Sequence, residues 1–231
     1  MRLKWSEKIA YAIGLITTDG SLSRDGRHIT LVSKDIQLLQ TFRECLKLKN
    51  RIRIKPPGGY SKKCAYMIQF GNVIFYRWLK EIGLMPNKTY DIGELEIPSR
   101  YFTDFLRGHL DGDGSIFIYK DRYMTYKKRR YSYFRIYTAF NSASYEHLHW
   151  IRNRLKEELN ISGALNHWLK KERTVPLWTL RFAKNESLEL LRWLYYKPNL
   201  PCLRRKRNLA LKIMKSSRFS NFYLASDKKL L

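Results

Sequence analysis

Two short stretches of this chain end on the same chemistry. Residues 12–23 read AIGLITTDGSLS, and residues 106–116 read LRGHLDGDGSI. Aligned, Gly14 meets Gly108, Ile16 meets Leu110, Asp19 meets Asp113, Gly20 meets Gly114 and Ser21 meets Ser115, at a constant spacing of 94 residues. An Asp-Gly pair is ordinarily a turn, with glycine supplying the positive φ. Here each Asp closes an apolar helical run that carries small residues four apart, Gly14/Thr18 and Gly108/Gly112. Glycine at such a spacing lets two helix backbones approach closely. Packed side by side, the two helices would present Asp19 and Asp113 together. Carboxylates there meet the negative end of the helix macrodipole and repel each other. A divalent cation removes both penalties, and Mg²⁺ is usually held by one or two carboxylates plus phosphate oxygens and waters. Paired acids with a hard cation point to phosphodiester hydrolysis.

Charge supports a polyanionic substrate. Lys and Arg number 45 against 20 acids, a net of +25 with a pI near 10.1. Solubility needs far less than this, so nucleic acid is the expected partner. The basic residues are interleaved with Tyr and Trp along the whole chain rather than gathered on one amphipathic helix, which disfavours a membrane surface. No apolar run approaches the length of a membrane span and no secretory leader is read. A cytoplasmic (bacterial nucleoid) or organellar location is therefore expected, not secretion. Cys45, Cys64 and Cys202 are isolated and odd in number, which implies a reducing compartment without a zinc site or disulfide framework.

The repeat extends beyond the turns. SKDIQLLQTFRECL (33–46) parallels SASYEHLHWIRNRL (142–155), with Asp35 and Ser144 as helix caps. Apolar residues at helical spacing follow: Ile36, Leu39, Phe42 and Leu46, then Tyr145, Leu148, Ile151 and Leu155. YMIQFGN (66–72) parallels WTLRFAKN (178–185), and both precede a helix carrying Arg-Trp-Leu, at 77–79 and 192–194. The expected fold is α+β: two pseudo-symmetric αββαββα repeats, each with a curved antiparallel four-stranded sheet. Residues 1–95 form the first repeat, 96–215 the second, and 216–231 a tail. The second copy is expanded around YKDRYMTYKKRRYSY (119–133), where a long hairpin loop is expected to grip one flank of the partner. Arg51-Ile52-Arg53-Ile54-Lys55 alternates basic and apolar, which predicts a strand with one face on the helices and one positively charged. Pro98 breaks the chain between the copies, and Ser99 is expected to cap the helix that follows.

AIGLITTDG and LRGHLDGDG resemble the two signature helices of LAGLIDADG homing endonucleases in their single-chain, two-repeat form. The resemblance covers about residues 5–215 and includes the SKD helix start and the IPSRYFTDFLRGHLDGDGS lead-in to the second copy. It implies a saddle over double-stranded DNA, a monomer with an internal pseudo-twofold axis, and Mg²⁺-dependent cutting of both strands of a long asymmetric site to leave short 3′ overhangs, with Mn²⁺ as a substitute. By that resemblance Asp19 and Asp113 are the catalytic metal ligands, and the main-chain carbonyls of Thr18 and Gly112 are metal neighbours. The family's polar pocket maps onto Ser33 and Lys34 in the first copy and onto Asn141 and Ser142 in the second. Its active-site lysines map onto Lys88 and Lys206, each expected ahead of the last helix of its half. Thr17 stands where the second copy has Asp111, which is expected to serve packing or support, so the half-sites differ. The competing expectation is a non-cleaving nucleic-acid-binding protein of the same fold, an intron maturase or a transcription regulator. The presence of both acids favours the enzyme.

Overall fold

The computed structural model describes residues 4–56, 64–124, 130–169 and 176–215. The chain runs α1 (Glu7–Asp19), β1 (Gly20–Leu22), β2 (His28–Ser33), α2 (Ile36–Cys45), β3 (Arg53–Lys55), β4 (Ala65–Gly71) and α3 (Val73–Glu81). The order then repeats as α4 (Ser99–Gly112), β5 (Ser115–Met124), β6 (Arg130–Ser142), α5 (Tyr145–Leu159), β7 (Ala164–Trp168), β8 (Leu177–Phe182) and α6 (Lys184–Leu194). A further helix, α7 (Arg204–Lys215), is added to the second copy. Each copy builds one antiparallel four-stranded sheet, ordered β1-β2-β4-β3 and β5-β6-β8-β7. Among the described residues no helix is long and apolar enough to cross a membrane.

Helices α1 and α4 pack backbone to backbone at the centre. A Cβ added to Gly14 would lie 2.1 Å from the Phe105 carbonyl oxygen, and one added to Gly108 would lie 2.1 Å from that of Tyr11. No larger residue fits either position, so the small-residue spacing is a steric requirement of this pair. Around the pair, Ile13, Leu15, Ile16, Phe105, Leu106 and Leu110 are wholly buried. Each sheet lays alternate residues on its helices: Ile29, Leu31 and Ile68 against Leu39 and Phe42 of α2, and Ile136, Phe140, Leu180 and Phe182 against Leu148 and Ile151 of α5. The caps form as expected. The Asp35 carboxylate accepts the Gln37 amide at 3.2 Å, and the Ser144 hydroxyl accepts that of His147 at 3.3 Å.

Four expectations are corrected. Ser99 is the first helical residue of α4 rather than its cap; Pro98 holds the capping position without a side-chain hydrogen bond. Ile36 and Tyr145, the first residues of their apolar stripes, are exposed because they start the helix outside the layer it shares with the sheet. The expansion at 119–133 is mostly strand and not loop: β5 and β6 pair without a break from Ser115↔Ala139 to Met124↔Arg130. Residues 125–129, with Lys127, Lys128 and Arg129, lie outside the described residues, as do 170–175 and the 216–231 tail. Finally, β3 buries neither face, and Ile54 is 68% exposed. It is an edge strand lying beyond the reach of the helix layer.

The outer face of the second sheet is aromatic and basic. Phe117 packs against its cross-strand partner Tyr137 with ring centroids 5.3 Å apart, and the Arg181 guanidinium lies 4.8 Å from the Tyr137 ring. On the first sheet Arg53 and Lys55 pair with Met67 and Ala65, alternating with Ile54 toward the outer side.

Candidate active site

Because α1 and α4 lie side by side and end at equivalent residues, Asp19 closes α1 and Asp113 caps α4 where the two sheets begin. Gly112 abuts the first acid: a Cβ there would sit 2.9 Å from the Asp19 Oδ2 and 2.0 Å from the Thr18 hydroxyl. Burial, then the charge of Asp113, raises the Asp19 carboxyl from its ordinary 3.8 to about 7, against the pull of Lys206 and Lys88. Burial raises Asp113 as well, opposed by Lys88 and Lys206. Asp19, half-buried, and Asp113, more exposed, thus share a site with two ammonium groups that act on both.

Those ammonium groups come from different elements. Lys88, 8% exposed, donates to the carbonyl of Gly20. Lys206, 6% exposed, donates to the carbonyls of Leu110 (2.6 Å), Asp111 (2.9 Å), Gly112 (3.3 Å) and Gly114 (2.7 Å). Gly20 and Gly114 are equivalent residues of the repeated turn, so the two lysines occupy matching places, each neutralising the negative end of a signature helix. Burial pushes both down to about 8, while the acids oppose that fall. Neither lysine precedes the last helix of its half. Lys88 sits in the turn after α3, and Lys206 lies inside the first turn of α7. The geometry at the carbonyl, not the distance along the chain, makes them equivalent.

The polar pocket residues separate into matched and unmatched pairs. Ser33 and Ser142 are equivalent, and each accepts the amide two residues on, from Asp35 and Ser144, both at 3.1 Å. They hold the start of α2 and of α5. Lys34 is exposed and lines a cavity of 520 Å³ with Asp19, Ser33, Asp35, Gly112 and Arg205. Asn141 donates to the Asp113 carbonyl at 2.9 Å and accepts the Thr179 hydroxyl at 2.8 Å. In the first sheet the place of that cross-strand pair, Asn141↔Thr179, is taken by Val32↔Met67, so no such clamp can form on Asp19. Asp111 is 1% exposed and accepts from the Tyr11 hydroxyl (2.9 Å) and the Leu203 amide (2.6 Å). Its counterpart Thr17 only bonds back to Ile13. Thr179 and Tyr11 carried no sequence signal, since one is an ordinary strand polar residue and the other a helix-core aromatic. A larger hollow, 740 Å³, is walled by Trp5, Trp78 and Trp150 at the far ends of α1 and α4, away from the acids.

No family model matches the sequence, and no curated protein is similar enough in sequence to match it. Solved structures do match. The meganuclease I-SmaMI bound to uncleavable DNA with a TTCT central four superposes with a TM-score of 0.55 at 12% identity, over 93% of this chain and 94% of that one. I-DmoI in complex with DNA and Ca gives 0.54 at 14% identity, over 88% of this chain and 96% of the other. The chain has the two-repeat LAGLIDADG fold. Full-length DUF199/WhiA from Thermatoga maritima aligns with a TM-score of 0.48 at 17% identity; 92% of this chain is covered but only 61% of WhiA. At these identities the likeness is one of fold. Within the LAGLIDADG fold, the signature helices are α1 and α4.

The acids suit a hard cation. Among the described residues no three His, Cys, Asp or Glu side chains converge on one point, so a cation held here would depend on the two carboxylates and on main-chain oxygens of the helix ends. Gly112 lets the Thr18 side chain and the Asp19 carboxylate lie directly against the end of α4, where any Cβ would overlap both. Burial holds both carboxylates above their ordinary range, and the charge of Asp113 adds to the effect at Asp19, a cost that a divalent ion would relieve.

Proposed function

We propose that this chain is a site-specific, divalent-metal-dependent DNA endonuclease acting as a monomer on a long asymmetric duplex target. The observation that carries it is the pairing of Asp19 and Asp113 under Lys88 and Lys206, where the two sheets begin. Each repeat, about 1–95 and 96–215, would read one half of the target with the outer face of its sheet, as strands do in a groove. The acids would hold Mg²⁺, with the carbonyls of Thr18 and Gly112 as neighbours. Bound there, Mg²⁺ or Mn²⁺ supplies Lewis acidity to a phosphodiester.

The protein's own groups do the rest. Lys88 and Lys206 hold their ammonium protons against main-chain carbonyls and lower the proton affinity of both acids, which keeps the carboxylates available. With their own values near 8, each can keep or release a proton near neutral pH. Ser33 and Ser142 fix the helix starts beside the acids, and Asn141 fixes the backbone of Asp113. Lys34 adds positive charge at the cavity mouth.

Selection of cleaved sites from a randomised duplex library with Mg²⁺ tests activity and target together. Asp19→Asn and Asp113→Asn should bind the selected site as tightly as the wild type and cut it slower by orders of magnitude. A wild-type protein that binds one site tightly yet leaves it whole with Mg²⁺ and Mn²⁺ would instead be a non-cleaving binder of this fold.

A further inference from the structure

Each lysine of the site belongs to a segment that is gripped by the opposite repeat as well as by its own. Lys206 follows the stretch Cys202–Arg205. Gln37, on α2 of the first repeat, donates to the Cys202 carbonyl at 3.0 Å and accepts the Arg204 amide at 2.8 Å. Asp35, the cap of the same helix, meets Arg205 Nε at 3.2 Å. The Lys206 amide then bonds to Leu203 at 3.0 Å, which passes the fixed position on to Lys206 itself. Lys88 is held in the reverse sense. The Ile92 amide bonds to the Lys88 carbonyl at 3.0 Å, closing one turn. Ser144, the cap of α5 in the second repeat, donates to the Ile92 carbonyl at 2.5 Å, and His147 Nδ1 lies 2.8 Å from that of Gly93. Asp35 and Ser144 are equivalent residues of the repeat, 109 positions apart. The start of the second helix in each copy therefore grips the lysine segment of the other copy.

We infer that Gln37 and Ser144 are positioning residues, Gln37 for Lys206 and Ser144 for Lys88, so that each lysine is held firmly on its carbonyls only when the opposite repeat is correctly docked. A Gln side chain that binds a carbonyl and an amide two residues apart fixes both the place and the direction of a helix start, with its donor and acceptor both used. Neither residue bonds to the acids, and both side chains are engaged with main chain inside the protein, so the effect would fall on the chemical step rather than on DNA affinity. An unassembled half would keep only the bonds within its own repeat, such as that of the Leu203 amide to Asp111, and lose those made by Gln37 or Ser144. The inference rests on the endonuclease reading and on Lys88 and Lys206 as its lysines.

The test uses the full chain. In metal-free, DNA-free protein, acylation of Lys206 by a small amine reagent, mapped by mass spectrometry, should be roughly tenfold or more faster in Gln37→Leu than in the wild type, the effect of losing two main-chain hydrogen bonds. Lys88 should be unchanged. Ser144→Ala should expose Lys88 and not Lys206, and Ser144→Thr should restore protection. On the selected duplex, Gln37→Leu and Ser144→Ala should each slow nicking of one strand, and of opposite strands, by about 10- to 100-fold. Binding measured with Ca²⁺ should not change. Equal labelling of all lysines, equal slowing of both strands, or wild-type behaviour of Gln37→Leu would each overturn the inference. A wild type that never cuts would refute the endonuclease reading alone, and the labelling pattern would still decide the latch.

Discussion

Asp19→Asn should stabilise the metal-free protein at alkaline pH. The carboxyl of Asp19 is lifted from 3.8 to about 7 in the folded chain, first by burial and then by Asp113. The folded state therefore holds this proton more tightly than the unfolded chain does. Stability is present while the group is protonated and is lost as pH rises from its unfolded value through about 7. A gap of roughly 3 units at about 1.36 kcal/mol each gives about 4 kcal/mol against the fold above pH 7. Asp19 keeps part of its hydration, which makes that an upper limit, and half of it would raise Tm by about 4–8 °C in a chain of this size. Asn removes the charge and keeps the shape. Calorimetry with EDTA at pH 8 should show Asp19→Asn melting above the wild type, and at pH 4.5 the gap should fall to about 1 kcal/mol or less. Mg²⁺ should raise the wild-type Tm at pH 8 and leave the variant nearly unmoved. A variant that melts below the wild type at pH 8, or a gap that ignores pH, would show that the carboxylate is not the electrostatic burden its surroundings imply.

Duplex affinity should fall steeply between low and physiological salt, because a net of +25 releases many counterions on binding; a filter-binding slope near zero would exclude a phosphate-tracking interface. Gly108→Ala should cost about 1–3 kcal/mol or more in chemical denaturation, since the new Cβ would meet a main-chain oxygen at 2.1 Å that no rotamer can move aside. His147 is held down to about 4, and the stacked His109 lies well below the usual range, both through burial. A folded value depressed in this way means stability that is full above the unfolded value near 6.5 and lost as pH falls toward about 4. His147→Asn, whose amide can replace the ring's bond to Gly93, should therefore gain on the wild type over that range by up to about 3 kcal/mol. Parallel melting curves for the two proteins would refute it.

What could be read ahead of the structure was whatever repeats locally. Asp19 and Asp113 announced themselves because the same phrase occurs twice, and the small residues beside them are forced by a steric contact that allows nothing larger. The caps Asp35 and Ser144 were legible for the same reason: a capping side chain bonds to its own helix within three residues. The length of the β5–β6 hairpin was hidden by its composition, because basic and tyrosine-rich segments serve as loop or as strand, and the partner strand decides. The lysines matched by place but not by setting, because their equivalence lies in which carbonyl each reaches, a property of folded space. Gln37, Thr179 and Tyr11 were invisible for that reason as well. Each acts on a residue at least 38 positions away, and nothing in its own neighbourhood records the partner.

The glycine seam between α1 and α4 has a mechanical consequence. Most domain interfaces are cushioned by side chains, which change rotamer and let two bodies shift by fractions of an ångström. Here main chain rests on main chain at Gly14 and Gly108, with no side chain between them. The line along which the two repeats meet should therefore be stiff, and the two sheets are expected to hold a nearly constant angle to each other. For a duplex laid across both, any misfit in curvature or twist would have to be absorbed by the DNA. The steps at its middle, nearest the acids and least covered by strands, would then be chosen by how readily they bend.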